Sequence, residues 1–387
     1  MEEKTEELVN FAGRKFKIYR NKSENGLAYI LAIPEEMKDN AEIILESYNS
    51  GGMQRRNYEE NIEDSKNHNP LNILIELDDL PIICPIIPDF IGENLPDYQQ
   101  LAKECFTRPI QGFERIDLKV IECINDAKKI IKEKTGKSIS DKLYVNGYSA
   151  SGVFAQRFVL IHPELVEKCC IGGAAGDIPI PSEELGYPIG IADYEELFGK
   201  KFDRDSHKSI KFAYYVAEKE AMGDGSCDIT GHKVQIDKFG NRINKTQIPA
   251  PMHDMSYRLD SVTLEVGRKQ RERFGEDLND RWKNSLIYLK EHGYDISGII
   301  CKKTEHRGIF NVEFNPYMPE LAQRLIDFYK TGKHFEFDEK TCARDIDMSF
   351  QRKREEQARK EAELDKKENL VVSERQEENT YLNIGEK

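Results

Sequence analysis

Four small residues, Gly147, Ser149, Ser151 and Gly152, stand between a short apolar run and a helical pattern. The run Leu143–Val145 predicts a buried strand, and beyond Gly152 apolar residues recur at helical spacing. The chain must turn sharply between the two, and small residues let the backbone and the helix pack closely there. A serine at such a turn can carry out acyl transfer if a base, an acid and oxyanion donors accompany it.

This stretch resembles the nucleophile elbow of α/β-hydrolases, because a strand precedes it, a helix follows it and a second apolar strand begins near Cys169. The resemblance implies that Ser149 is the nucleophile and that the backbone N–H of Ala150 is one oxyanion donor. Ser151 stands where the G-x-S-x-G pattern has its second glycine, and it is small enough to be tolerated. The alternative interpretation is that Ser149 only caps the following helix.

The elements before the elbow fit the same fold. Lys15–Tyr19 and Leu27–Ile33 predict two strands joined by a turn at Asn25-Gly26. Ala41–Ser47 predicts the next strand, which ends in a small loop over residues 48–52. The resemblance implies that this loop supplies the second oxyanion donor, Asn49 or Ser50, although an ordinary turn is equally compatible with the residues.

Two further elements precede the elbow. Leu80–Ile87 predicts a buried strand whose pairing is restricted by Pro81 and Pro85. A helix is predicted between Arg115 and Lys134, closed by Gly136.

Two strands after the elbow lead to residues that could serve as the acid and the base. Ile210–Val216 is followed by a polar loop that contains Glu220 and Asp224, and Ser297–Cys301 leads to His306. The resemblance implies the order serine, acid, histidine along the chain, with His306 as the general base.

The identity of the acid stays open. Ala217-Glu-Lys-Glu220 resembles the family's Gly-x-x-Asp, so Glu220 is at the matching position. Asp224 competes with it, and Asp228 is a third choice. Six other histidines fit the role of base less well, because they lie in helices, polar segments or a proline-bearing stretch: His68, His162, His207, His253, His292 and His334.

The remaining elements predict one large domain and a tail. Helices are expected at Tyr194–Phe198, Arg271–Leu289 and Leu321–Tyr329. We interpret residues 1–345 as one α/β domain with an insertion over about 227–257, after the acid-bearing strand. Residues 346–387 are rich in Lys, Arg and Glu and predict a charged helix or tail.

Composition restricts the functional class. The net charge of −13 over 387 residues disfavours binding to nucleic acid or to anionic membranes. The eight cysteines are scattered, and Cys227 with His232 lacks the second pair that a zinc site needs. Neither a signal peptide nor a membrane span is indicated, so we expect a reducing cytoplasm.

The interpretation of the sequence is therefore a mostly parallel α/β-hydrolase sheet flanked by helices, which resembles the esterase and depolymerase-like branch. The resemblance implies a serine hydrolase that cleaves an ester or related acyl bond of a small-molecule or other acyl substrate, without a metal or organic cofactor. A peptidase or thioesterase on the same fold is the first alternative. The second is an inactive scaffold whose charged tail binds a protein partner or mediates self-association.

Overall fold

The structure is a computed structural model of the chain. It describes residues 5–11, 14–48, 57–66, 80–90, 95–174, 178–219, 261–275, 278–305 and 318–335. The expected insertion and the expected C-terminal tail lie outside these residues.

The described residues form a nine-stranded sheet in the order β1-β2-β3-β5-β4-β6-β7-β8-β9. The first three strands pair antiparallel, and the six from β5 to β9 run parallel. The strands are β1 Thr5–Phe11, β2 Arg14–Lys22, β3 Ala28–Pro34, β4 Ala41–Leu45, β5 Ile82–Pro85, β6 Ile139–Tyr148, β7 Val166–Gly172, β8 Lys211–Lys219 and β9 Asp295–Glu305.

Helices flank the sheet: α1 Tyr58–Ser65, α2 Glu104–Thr107, α3 Ile116–Thr135, α4 Ala150–Ile161, α5 Tyr194–Phe198, α6 Arg204–Ser209, α7 Ser261–Phe274, α8 Leu278–Glu291 and α9 Met318–Thr331. Every residue of α4 from Ser151 to Ile161 is buried, including the polar Gln156 and Arg157. None of the described helices combines the length and the hydropathy needed to cross a bilayer.

Most predicted elements are confirmed. The turn at Asn25-Gly26 joins two antiparallel strands, and Gly136 ends α3 in the left-handed conformation. Pro81 lies just before β5 and Pro85 is its last residue, and their carbonyl groups accept hydrogen bonds from Ile44 and Tyr48. Strand β5 therefore pairs on both sides inside the sheet. Together with the strand order, these elements confirm the predicted fold class.

Two features differ from the prediction. The single helix expected over Arg271–Leu289 is wrong, because Gly275 adopts a φ of 122° and separates α7 from α8. Strand β1 was not predicted; it pairs antiparallel with β2, which begins three residues after β1 ends. The described cysteines, Cys84, Cys105, Cys123, Cys169, Cys170 and Cys301, are buried free thiols.

Candidate active site

Ser149 lies at the turn between β6 and α4 with φ 59° and ψ −124°. For a residue other than glycine this conformation is strained, and such strain persists only where the surrounding structure imposes it. The backbone N–H of Ser149 donates to the carbonyl of Gly172 in β7 at 2.9 Å, and its carbonyl accepts from Val153 at 2.9 Å. Strand pairing on one side and the first helical hydrogen bond on the other therefore hold the strained turn in place.

Two glycines make this turn sterically possible. A Cβ on Gly147 would lie 2.3 Å from the carbonyl oxygen of Ser151, and one on Gly152 would lie 2.7 Å from that of Gly172. Real Cβ atoms do not approach backbone oxygens so closely. The close packing expected at the turn is thus confirmed, and Gly152 provides the contact between α4 and β7.

Ser151 has a specific role that its small size alone did not suggest. Its hydroxyl accepts from the backbone N–H of Tyr148 at 2.9 Å and donates to the carbonyl of Tyr148 at 2.8 Å. The side chain is 4% exposed, so both bonds are sheltered from water. The serine at the usual glycine position therefore closes the turn on the residue just before Ser149.

The alternative in which Ser149 only caps α4 is wrong. The Ser149 side chain makes no capping hydrogen bond, and its positive φ differs from the extended backbone that an N-cap residue usually adopts. A capping role therefore does not explain why a serine occupies this strained position.

The first expected oxyanion donor, Ala150, lies at the N-terminus of α4. Ala150 is the first residue of α4, and the first N–H groups of a helix have no acceptor within it. The positive end of the helix dipole also favours negative charge there. The description of the β4 loop stops at Tyr48, so Asn49 and Ser50 lie outside the described residues.

The candidate acid and base also lie outside the described residues, but the strands that precede them are described. Strand β8 ends at Lys219 and β9 ends at Glu305, and these two residues are paired in the parallel register. Glu220 and His306 each follow directly after that pair, whereas Asp224 and Asp228 are further along the chain.

Strands β8 and β9 extend beyond the row that contains Tyr148. That row runs through Gly172 and Tyr215 to Ile299. Beyond that row, β8 continues from Tyr215 to Lys219, which is roughly 13 Å at about 3.3 Å per residue. Strand β9 continues from Ile299 to Glu305, which is roughly 20 Å. The register shifts between Ala217 and Lys219, and an irregularity of this kind bends a strand.

The described histidines lie at the opposite, amino-terminal edge of the sheet. His162 follows α4, His292 precedes β9, and His334 bonds to Asp295, the first residue of β9. His207 packs between Phe212 at the start of β8 and Tyr294 just before β9, with ring centroids 5.3 and 5.4 Å apart. These four cannot serve Ser149.

His162 instead belongs to a buried charged cluster at the far end of α4, about 18 Å from Ser149 at 1.5 Å per helical residue. Its Nε2 lies 2.9 Å from Asp117 Oδ2, and its Nδ1 lies 3.4 Å from Glu164. Burial alone would raise the pKa of Asp117, but hydrogen bonds from His162 and Arg115 outweigh it and lower that pKa to about 2. The cluster therefore contributes to the stability of the fold and lies too far from Ser149 to take part in catalysis.

Sequence reasoning missed a polar network beneath the turn. Asn146 of β6 donates to Glu46 at 2.9 Å, and the hydroxyl of Tyr329 in α9 lies 3.1 Å from Asn146 Oδ1. A polar residue directly after the apolar run Leu143–Val145, three positions before Ser149, was the signal that could have revealed it.

An aromatic pair lies on the same face of the sheet as Asn146, because Tyr148 is two residues further along β6. Tyr148, directly before Ser149, stacks on Tyr215 with ring centroids 6.0 Å apart and planes 13° apart. A single sequence does not indicate that these two tyrosines are in contact, because they are related only through the paired residues Tyr148, Gly172 and Tyr215 of three neighbouring strands.

Within the described ranges, no three His, Cys, Asp or Glu side chains are grouped as a metal site would require. Cys227 and His232 lie outside those ranges.

No family model and no curated protein matches the chain. Among solved structures, poly(aspartic acid) hydrolase-1 from Sphingomonas sp. KT-1 is similar with a TM-score of 0.43 and 14% identity, over 84% of this chain and 98% of that one. An esterase from the archaeon Pyrobaculum calidifontis has a TM-score of 0.39 and 11% identity, over 86% of both chains. An S-formylglutathione hydrolase from Agrobacterium tumefaciens has a TM-score of 0.37 and 14% identity, over 82% of this chain and 98% of that one. At scores this low the similarities carry no argument about chemistry, which must come from the turn itself.

Proposed function

We propose that this protein is a serine hydrolase that cleaves an ester or related acyl bond through an acyl-enzyme on Ser149. The observation that carries the proposal is the conformation of Ser149, at φ 59° and ψ −124°, on a turn built by two close-packed glycines and the Ser151 hydroxyl. A strained serine at the carboxyl end of a central parallel strand is the arrangement that exposes a nucleophile.

In the proposed mechanism the Ser149 hydroxyl attacks the acyl carbonyl while His306 accepts its proton and later returns it to the leaving group. Water then hydrolyses the acyl-enzyme by the same route. The backbone N–H of Ala150 stabilises the oxyanion together with a donor from Asn49 or Ser50. Each such donor is worth about 10²- to 10³-fold in rate.

The pairing of Lys219 with Glu305 supports Glu220 over Asp224 as the acid that orients His306. These two paired residues lie about 5 Å apart in neighbouring strands, and Glu220 and His306 are the next residues of the sequence, whereas Asp224 comes five residues after Lys219. The proposal also requires the strand ends beyond the bulge at Ala217 to curve back towards Ser149.

Labelling with a fluorophosphonate tests the nucleophile. We expect one label per chain on Ser149 and none in Ser149→Ala, whose turnover should fall roughly 10⁶-fold. Ser209→Ala, at an exposed serine, is the matched control and should label normally. A wild-type protein that neither labels at Ser149 nor turns over any acyl substrate would instead be a binding or scaffold protein.

Variants assign the other two roles. His306→Ala should abolish rapid labelling. Changing the true acid to its amide should lower the kcat of the enzyme by about 10⁴-fold. Comparing Glu220→Gln with Asp224→Asn therefore identifies the acid. Normal turnover in His306→Ala would refute the proposed base.

The leaving group is tested with a panel of substrates. Acyl esters of graded chain length, acyl thioesters and short peptide anilides should be compared by kcat/KM on the same preparation. We expect the esters to be preferred, and a preference for peptides or thioesters would reassign the substrate class while leaving the nucleophile unchanged.

A further inference from the structure

The backbone pairing between β4 and β6 stops just before the candidate site. Its last pair is Leu45 with Val145. Beyond that pair the N–H groups of Glu46 and Tyr48 donate to Ile83 and Pro85 of β5, at 3.0 and 2.9 Å. The chain that leads to the expected oxyanion loop is thus bonded to β5, on the side away from Ser149.

A side-chain hydrogen bond spans the gap. Asn146 and Glu46 each follow the last paired residue of their strand, and Asn146 Nδ2 donates to Glu46 Oε2 at 2.9 Å. Asn146 is only 5% exposed, so water does not compete well for its amide. The bond ties the strand that carries Ser149 to the strand that carries the loop.

Glu46 fixes the orientation of this amide. With the amide reversed, its oxygen would face the carboxylate of Glu46 and two acceptors would meet. The hydroxyl of Tyr329, a residue that is 1% exposed, lies 2.8 Å from the Val145 carbonyl and 3.1 Å from Asn146 Oδ1, and its single proton is donated to one of these two oxygens.

We propose that Asn146 and Glu46 are positioning residues that hold the end of β6, and with it Ser149 and the N–H of Ala150, at a fixed place against the end of β4. This inference rests on the proposed function. An oxyanion is stabilised well only when donors lie within about 2.7 to 3.1 Å of it, and a misplacement of about 1 Å can cost roughly 100-fold in rate.

An exchange of the two functional groups tests the proposal. Asn146→Asp places two carboxylates where the 2.9 Å bond was, so kcat should fall about 10- to 100-fold while KM changes by less than about threefold. Glu46→Gln keeps an acceptor for Asn146 and should stay within about threefold of wild type. The double variant restores an amide–carboxylate bond with the roles exchanged, and its kcat should recover to within about fivefold of wild type.

The chain contains a matched control. Asn21 Nδ2 donates to Asp126 at 2.8 Å and bonds to the hydroxyl of Tyr29, which repeats the same three groups. This network begins on β2, four strands from β6 in the sheet. Asn21→Asp should lower the unfolding midpoint as Asn146→Asp does, yet leave kcat unchanged.

The outcomes separate the two proposals. If wild type labels at Ser149 and turns over but Asn146→Asp keeps its kcat, the positioning role is refuted and the hydrolase proposal stands. A failure of the double variant to recover also refutes it. If Asn146→Asp does not fold, Glu46→Ala against Glu46→Gln decides, since only the former should lose kcat. A wild-type protein without labelling or turnover refutes both proposals.

Discussion

The backbone of Ser149 predicts that glycine at this position gives a more stable protein than alanine. A residue with a Cβ at φ 59° and ψ −124° carries about 1 to 3 kcal/mol of strain. Glycine adopts this region freely, but it loses about 0.5 to 1 kcal/mol more backbone entropy on folding. The free energy of unfolding should therefore be higher in Ser149→Gly than in Ser149→Ala by about 1 kcal/mol.

The comparison isolates the backbone because neither variant has the hydroxyl, so every contact of that group cancels. Denaturant unfolding of the two variants should give equal slopes and a higher midpoint for Ser149→Gly. Both should hydrolyse acyl esters at background rates. The strain is thus measured separately from the chemistry.

Asn40 provides the control, since it is exposed and also has a positive φ, 54°. Asn40→Gly should exceed Asn40→Ala in unfolding free energy by about 1 kcal/mol, the ordinary cost of a left-handed residue. If Ser149→Ala were as stable as Ser149→Gly while the Asn40 pair behaved normally, the turn would not be strained and the reasoning would be refuted.

Two other predictions concern stability. Ser151→Ala should lower the unfolding free energy by about 1 to 3 kcal/mol and reduce kcat, because the N–H and the carbonyl of Tyr148 both lose the Ser151 hydroxyl as a partner. The control is Ser140→Ala, which removes one hydrogen bond from the backbone of Lys142. A loss of unfolding free energy no larger than that of the control would contradict the prediction. Asp117 has a folded pKa of about 2 against an ordinary 3.8, so its stabilisation of about 2 kcal/mol is present above pH 4 and is lost as the pH falls towards 2. Asp117→Asn should therefore be less stable than wild type at neutral pH and converge with it in acid, and unfolding curves that stay parallel from pH 6 to 2 would exclude that role.

Local patterns were sufficient for several elements. The hairpin at Asn25-Gly26 and the end of α3 at Gly136 depend on glycines in the left-handed conformation, which the sequence shows directly. The strand, turn and helix around Ser149 were predicted for a similar reason, because small residues stand between a short continuous apolar run and apolar residues at helical spacing.

Non-local pairing decided what could not be predicted. Apolar spacing across Gly275 did not reveal that the helix breaks there. The bond from Asn146 to Glu46 joins residues separated by 100 positions, so the local pattern marks Asn146 as unusual but does not identify its partner.

The sequence by itself determined the type of turn at residue 149, because glycine and serine at fixed offsets are a local steric requirement. Only the tertiary structure decided that Ser151 closes this turn through Tyr148, that four histidines lie at the far edge of the sheet, and that Glu46 is tied to Asn146. The physical reason is that hydrogen bonds and strand registers between distant segments are set by packing of the whole sheet, whereas backbone conformation at a turn is set by its own few residues.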